Sequence, residues 1–292
     1  MTPEIGILLA LVCAFVANLG FFYKHRGANA VAKVQVRHPL RSARALYSSR
    51  WFALGMAIAV ASWGLHVAAL ALAPMSVVQV ALAAGVVLIA VMAERMFGFE
   101  VGPRQWLGLV LTAVGLAMLG LTLPAMHGAH SQFSQAAMIS FEAGLFGIGG
   151  LFIMGPRMGG PAEHHGIMLG AAAGVLFGVS DTAIKALTGI TGAHGLSALL
   201  LSPWLAVALT ASVIAFYASA KGLQDSDAVP VIAVTGTAAN IAGIAGGIVV
   251  FGDPMAGGTI GVTLQAFAFV LVVIASALMP APLRAAGAAA PA

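Results

Sequence analysis

Residues 166–187 read GIMLGAAAGVLFGVSDTAIKAL, and this stretch decides how the rest of the chain is read. A bilayer core about 30 Å thick takes on the order of 20 apolar residues per helical crossing, and this run has that length, with Asp181 and Lys185 near its end. Gly166, Gly170, Gly174 and Gly178 recur every fourth position, so they form one small face that another helix backbone can approach closely. At about 100° per residue, Asp181, Thr182 and Lys185 fall within roughly 60° of that line. A face packed against protein carries the carboxylate into a helix bundle and away from lipid.

Composition extends this reading to the whole chain. Of 292 residues, 61% are hydrophobic and 8% charged, against roughly a quarter charged in a soluble domain. A water-soluble fold cannot cover so much apolar surface, so lipid must be the solvent. The net charge of +4 is too small to point to nucleic acid, and the single cysteine, Cys13, excludes an internal disulfide framework.

Apolar runs bounded by charge, Pro or Gly occur at 4–23, 51–72, 75–94, 104–123, 135–154, 166–187, 203–220, 228–251 and 258–279. Pro74, Pro103, Pro203 and Pro230 stand at or near the starts of runs, and Pro124, Pro156 and Pro280 follow their ends. The first run has no basic segment before it and no cleavage site after it, and reads as a retained helix. The expected fold is an all-α integral membrane protein of about nine transmembrane helices. With the N-terminus outside and the C-terminus cytoplasmic, twelve of the thirteen Lys and Arg residues fall inside and Lys185 alone outside. That asymmetry suits the plasma membrane. The loop at 24–50 carries seven basic residues and no acid. Lys33, Arg37, Arg41 and Arg44 recur every three to four positions and would show a basic stripe to anionic headgroups.

The glycine ladder has a counterpart. Gly6, Ala10, Ala14 and Asn18 repeat its four-residue spacing at a constant shift of 160, and Glu94-Arg-Met-Phe-Gly98 matches Asp253-Pro-Met-Ala-Gly257 at a shift of 159. Trp51 and Trp204 each open a run in corresponding positions. These matches divide the chain into a first unit, 1–123, a linking run with its flanks, 124–165, a second unit, 166–279, and a disordered tail, 280–292. Two four-helix repeats joined by one extra crossing enter the membrane from opposite sides. Inverted repeats of this kind characterise secondary transporters, although channels carry them too.

The ladders, the acid within LIAVMAERMFGFEVGPRQWLGLVLTAVGLAML (88–119) and the stretch WGLHVAALALAPMSVVQV (63–80) resemble the drug/metabolite transporter superfamily over most of residues 4–279. The nine runs, the basic first loop and the pattern Gly178, Ser180, Lys185, Ala186 are similar to its NIPA-type branch, whose members are described as magnesium transporters. The superfamily commonly has ten helices, and here the basic loop replaces the second. The resemblance implies a transporter and leaves its cargo open.

Charge within a crossing costs roughly 2.5–3.5 kcal/mol on insertion scales, so intramembrane acids are candidates for function. Asp181 is the first, and Lys185 one turn later can pair with it, either silencing it or holding it ready. Glu142, near the middle of its run, has no basic neighbour on its own helix. It can carry a proton or simply tie two helices together. Asn18, His66, Gln79, Tyr217, Thr237, Asn240 and Gln265 are uncharged groups able to complete a site, or to hydrogen-bond between helices. His127, His130, His164, His165 and His194 lack the spacing of a metal cluster. No phosphate loop, nucleophile elbow or HExxH motif occurs, so an ATP-driven pump or an enzyme is not expected, nor is any cofactor. Three functions compete. One is a secondary transporter of a small solute with Asp181 and Glu142 in its site. Another is a magnesium permease, in which the same two acids would be the metal ligands. The last is a membrane scaffold or lipid-handling protein. Membrane lipids and a second copy of the chain are the candidate macromolecular partners. A transport site requires both acids on one water-accessible space.

Overall fold

A computed structural model of the chain describes residues 2–35, 37–83, 85–97, 99–100, 102–122, 131–159, 164–255, 257–277 and 283–284. The helices are α1 (Thr2–Ala28), α2 (Pro39–Tyr47), α3 (Arg50–Leu72), α4 (Met75–Ala83), α5 (Gly85–Phe97), α6 (Pro103–Thr122), α7 (Gln135–Met154), α8 (His165–His194), α9 (Leu196–Leu201), α10 (Pro203–Asp225), α11 (Ala228–Val249) and α12 (Gly258–Ala277). Among the described residues the only extended pairing joins Phe99–Glu100 to Leu283–Arg284. Where it is described, each apolar run predicted from the sequence falls mainly on helix, the third being divided between α4 and α5. Among the described residues six helices, α1, α3, α7, α8, α10 and α11, are long and apolar enough to cross a membrane. The protein is therefore all-helical and of a membrane-embedded kind.

Proline sets two helix starts as expected, and α8 runs past the expected end at 187 to a glycine. Pro103 and Pro203 are the first residues of α6 and α10, where the missing N–H costs nothing, and Gly195 ends α8 with φ 81°, in the left-handed region. Ser202 caps α10, its hydroxyl accepting from the Trp204 N–H at 3.4 Å.

The small-residue ladders explain the packing. α8 lies at the centre against α7, α10 and α11. A Cβ on Gly174 would overlap the Thr235 carbonyl and come within 2.7 Å of Ala238 Cβ, and one on Gly178 would overlap Ala242. The ladder is thus the seat of α11, as the sequence predicts for a protein-packed face. In the first half, α1 packs on α3 and α4, with Gly6 against Ala73 and Ala14 against Gly85. α6 and α12 pack on each other beside α11 and α5.

One sequence expectation is corrected, and two further segments make contacts that the sequence alone does not give. The first helix does not stop at residue 23: nothing in Tyr23-Lys24-His25-Arg26 breaks it, and α1 continues to Ala28, so Lys24 is helical and buried. The basic loop is partly folded and is not uniformly free of acid partners. Lys33 pairs with Asp225 at 3.1 Å, Gln224 grips the backbone at Ala28, Ala32 and Val34, and Tyr217 donates to Pro39 O at 3.0 Å. Only Arg41 and Arg44 of the predicted stripe lie on a helix, α2, both exposed above the buried Ser42 and Leu46. Beyond α12, Leu283 and Arg284 pair with Phe99–Glu100. His127, His130 and the rest of 280–292 lie outside the described residues.

Candidate functional site

Two adjoining cavities run through the bundle. The smaller, about 230 Å³, is lined from both halves of the chain, by Cys13 and Asn18 of α1, His66 of α3, Gln79 of α4, Asp181 of α8 and Asn240 of α11. Asp181 is its anionic group. Its Oδ1 lies 3.0 Å from His66 Nε2, and its Oδ2 accepts from Gln79 Nε2 at 3.1 Å. The carboxylate is 16% exposed and the imidazole 8%.

Each partner is placed by its own element. Gln79 is fully buried, and it reaches Asp181 because Gly243 of α11 has no side chain: a Cβ there would sit 2.6 Å from Gln79 Cδ. Asn18 donates to Gly85 O at 2.8 Å, which ties α1 to the start of α5. Beside His66, Ser62 and Cys13 contact each other, with Cys13 Sγ 3.2 Å from Ser62 Oγ. The His66–Asp181 contact is an electrostatic pair at hydrogen-bonding distance.

Lys185 is not the partner of Asp181. Its fully buried ammonium donates to Leu70 O at 2.6 Å and Ala73 O at 2.9 Å, at the C-terminal end of α3. Across the same junction Asp253 Oδ2 accepts from the Ser76 N–H, 2.8 Å away, in the first turn of α4, and its charge acts on the Lys185 ammonium. A cation at one helix C-terminus and an anion at the next N-terminus both complement the helix dipoles. The two side chains are one turn apart, but the Asp181 carboxylate faces His66 and Gln79 in the smaller cavity, whereas the Lys185 ammonium lies against the carbonyls at the end of α3. Thr182 is likewise structural, donating to Gly178 O at 2.8 Å and packing over Gly246.

Glu142 is 4% exposed on α7, with neither carboxylate oxygen hydrogen-bonded. It lines neither cavity, so the common space expected for the two acids is not found at these sites. Tyr217, bonded to Pro39 at the end of the bundle, also lies away from both, as do the buried Thr237 and Gln265. Of the predicted site residues, the fold brings Asp181, His66, Asn18 and Asn240 together, with Gln79 joining them.

No family model, curated protein or solved structure matches the chain. Among the described residues no three His, Cys, Asp or Glu side chains cluster to hold a metal.

One lining residue escaped the sequence reading. Lys24 is 9% exposed and borders both cavities, its ammonium 3.7 Å from the Phe21 ring centroid. Its stem passes over Gly55 of α3, where a Cβ would meet Lys24 Cγ at 2.9 Å. The available signal is that neither Pro nor Gly stands between Gly20 and Gly27, so the basic residues after the first run continue its helix.

Proposed function

We propose that the chain is a multi-pass secondary transporter of the drug/metabolite kind, moving a small solute across the plasma membrane by alternating access. The observation that carries the reading is Asp181, a carboxylate held by His66 and Gln79 on the wall of a cavity to which both halves contribute. An intramembrane acid facing a cavity is the usual mark of a substrate or ion path.

The arrangement of two inverted four-helix units, with nine crossings in all, belongs to the same proposal, and the packing supports it. α1 pairs with α3 as α8 pairs with α10, α1 with α4 and α5 as α8 with α11, and α3 touches α8 as α10 touches α1. With the N-terminus outside, Lys24 and the basic α2 stand at the cytoplasmic end, and Lys185 at the outer end. A magnesium permease has less support, because neither of the two cavities described is lined by both Asp181 and Glu142.

The test is flux in proteoliposomes loaded with a pH-sensitive dye and offered magnesium or a panel of metabolites, with and without a pH gradient. Asp181→Asn and His66→Asn abolish solute-dependent flux while the folded protein stays in the membrane, and Glu142→Gln does not. Unchanged flux by Asp181→Asn would sink the proposal.

A further inference from the structure

The larger cavity, about 760 Å³, lies between α3, α8 and α10 and falls within the ~300–1,000 Å³ range of small-molecule sites. Its wall follows α3 from Phe52 to Ala71, a rise of about 28 Å at 1.5 Å per residue, nearly the thickness of a bilayer core. Phe52, Trp63, Phe177 and Phe216 give it a mostly aromatic and aliphatic surface. Several of its hydroxyls are already used: Ser180 and Ser212 bond each other at 2.8 Å, and Thr188 donates to Lys185 O. Among the described lining residues Lys24 is the one charged group. It stands at the Phe52 end, 9% exposed, and among the described residues no carboxylate or hydrogen-bond acceptor meets its ammonium, which lies over the Phe21 ring. A buried ammonium without an anion is costly, so an apolar chamber that ends in one selects its occupant by charge as well as by shape.

We infer that this cavity binds an amphipathic anion, with its apolar body between α3, α8 and α10 and its carboxylate or phosphate head on Lys24. The inference names a substrate class for the transport reading and rests on that reading only for the role of binding, not for binding itself.

Calorimetric titration of the purified full chain, in an uncharged detergent, tests it without any flux. Dodecyl phosphate binds saturably. Inorganic phosphate, which lacks the tail, and dodecyltrimethylammonium, which reverses the head charge, bind at least tenfold more weakly. Lys24→Gln weakens dodecyl phosphate binding at least tenfold, Lys24→Arg restores most of it, and Trp63→Ala weakens it by narrowing the apolar contact. Repeating the titration in phosphatidylcholine nanodiscs with and without phosphatidylglycerol separates the sources. Competition by phosphatidylglycerol makes the anion a membrane lipid, and its absence makes it a free amphiphile, both in keeping with the site. Equal binding of dodecyltrimethylammonium, equal binding of inorganic phosphate, or no binding of dodecyl phosphate would overturn it. The wild-type comparisons decide even where Lys24→Gln fails to fold. Absence of solute transport leaves a positive titration standing, and a chain that transports another solute without binding dodecyl phosphate refutes this inference alone.

Discussion

Replacing Lys185 by Met separates a structural lysine from a transport lysine. Met preserves most of the apolar stem but removes the ammonium that donates to Leu70 O and Ala73 O at 2.6 and 2.9 Å. Both carbonyls lie at the end of α3, where helical partners are missing, and Asp253 loses the cation on which its charge acts. Removing one member of a buried charged group costs about 3–5 kcal/mol, since the remaining groups stay desolvated. At roughly 2–4 °C per kcal/mol for a chain of this size class, the expected fall in Tm is on the order of 10 °C. The assay is thermal unfolding of the purified protein in detergent, followed by its tryptophan emission. Asp253→Asn added to Lys185→Met recovers about 1–2 kcal/mol, because the carboxylate charge no longer stands uncompensated while the amide oxygen still accepts from Ser76. A Tm within about 2 °C of wild type for Lys185→Met, combined with lost flux, would refute the capping role and return Lys185 to the site.

Three further outcomes are expected. Gly243→Ala drives Gln79 off Asp181, because the new Cβ would lie 2.6 Å from Gln79 Cδ; it lowers stability by about 1–3 kcal/mol and reduces flux, and unchanged flux would show that Gln79 does not position the carboxylate. Glu142→Leu leaves Tm unchanged or raised, since neither carboxyl oxygen has a hydrogen bond to lose, and a fall of several degrees would reveal a partner. Gly174→Val costs about 3 kcal/mol or more by pushing α11 off α8, read as lower Tm and yield, and wild-type behaviour would mean the two helices are not in close contact.

How far the sequence is legible follows the range of the interactions. The apolar runs were readable because a helix satisfies its own backbone bonds and the bilayer sets its length, and Pro103 and Pro203 mark two of their starts. The Gly166–Gly178 face was readable as a packed face for the same local reason, the four-residue period that puts all four glycines in one line. The overrun of α1 past Lys24 is not legible in the charge pattern, because a lysine ends a crossing only when lipid surrounds it, and here Gly55 makes room for it inside protein.

The sequence by itself therefore determined the solvent, the helices and the face on which α8 is packed. Only the tertiary structure decided what each polar group meets. Asp181 lies 115 residues from His66 and 102 from Gln79, and Lys185 reaches carbonyls at a similar remove. No periodicity records those meetings. They depend on the rotation and crossing of helices about their contacts, so the one local pairing that spacing did suggest, Asp181 with Lys185, gives way to partners on α3 and α4 that offer each charge a closer complement.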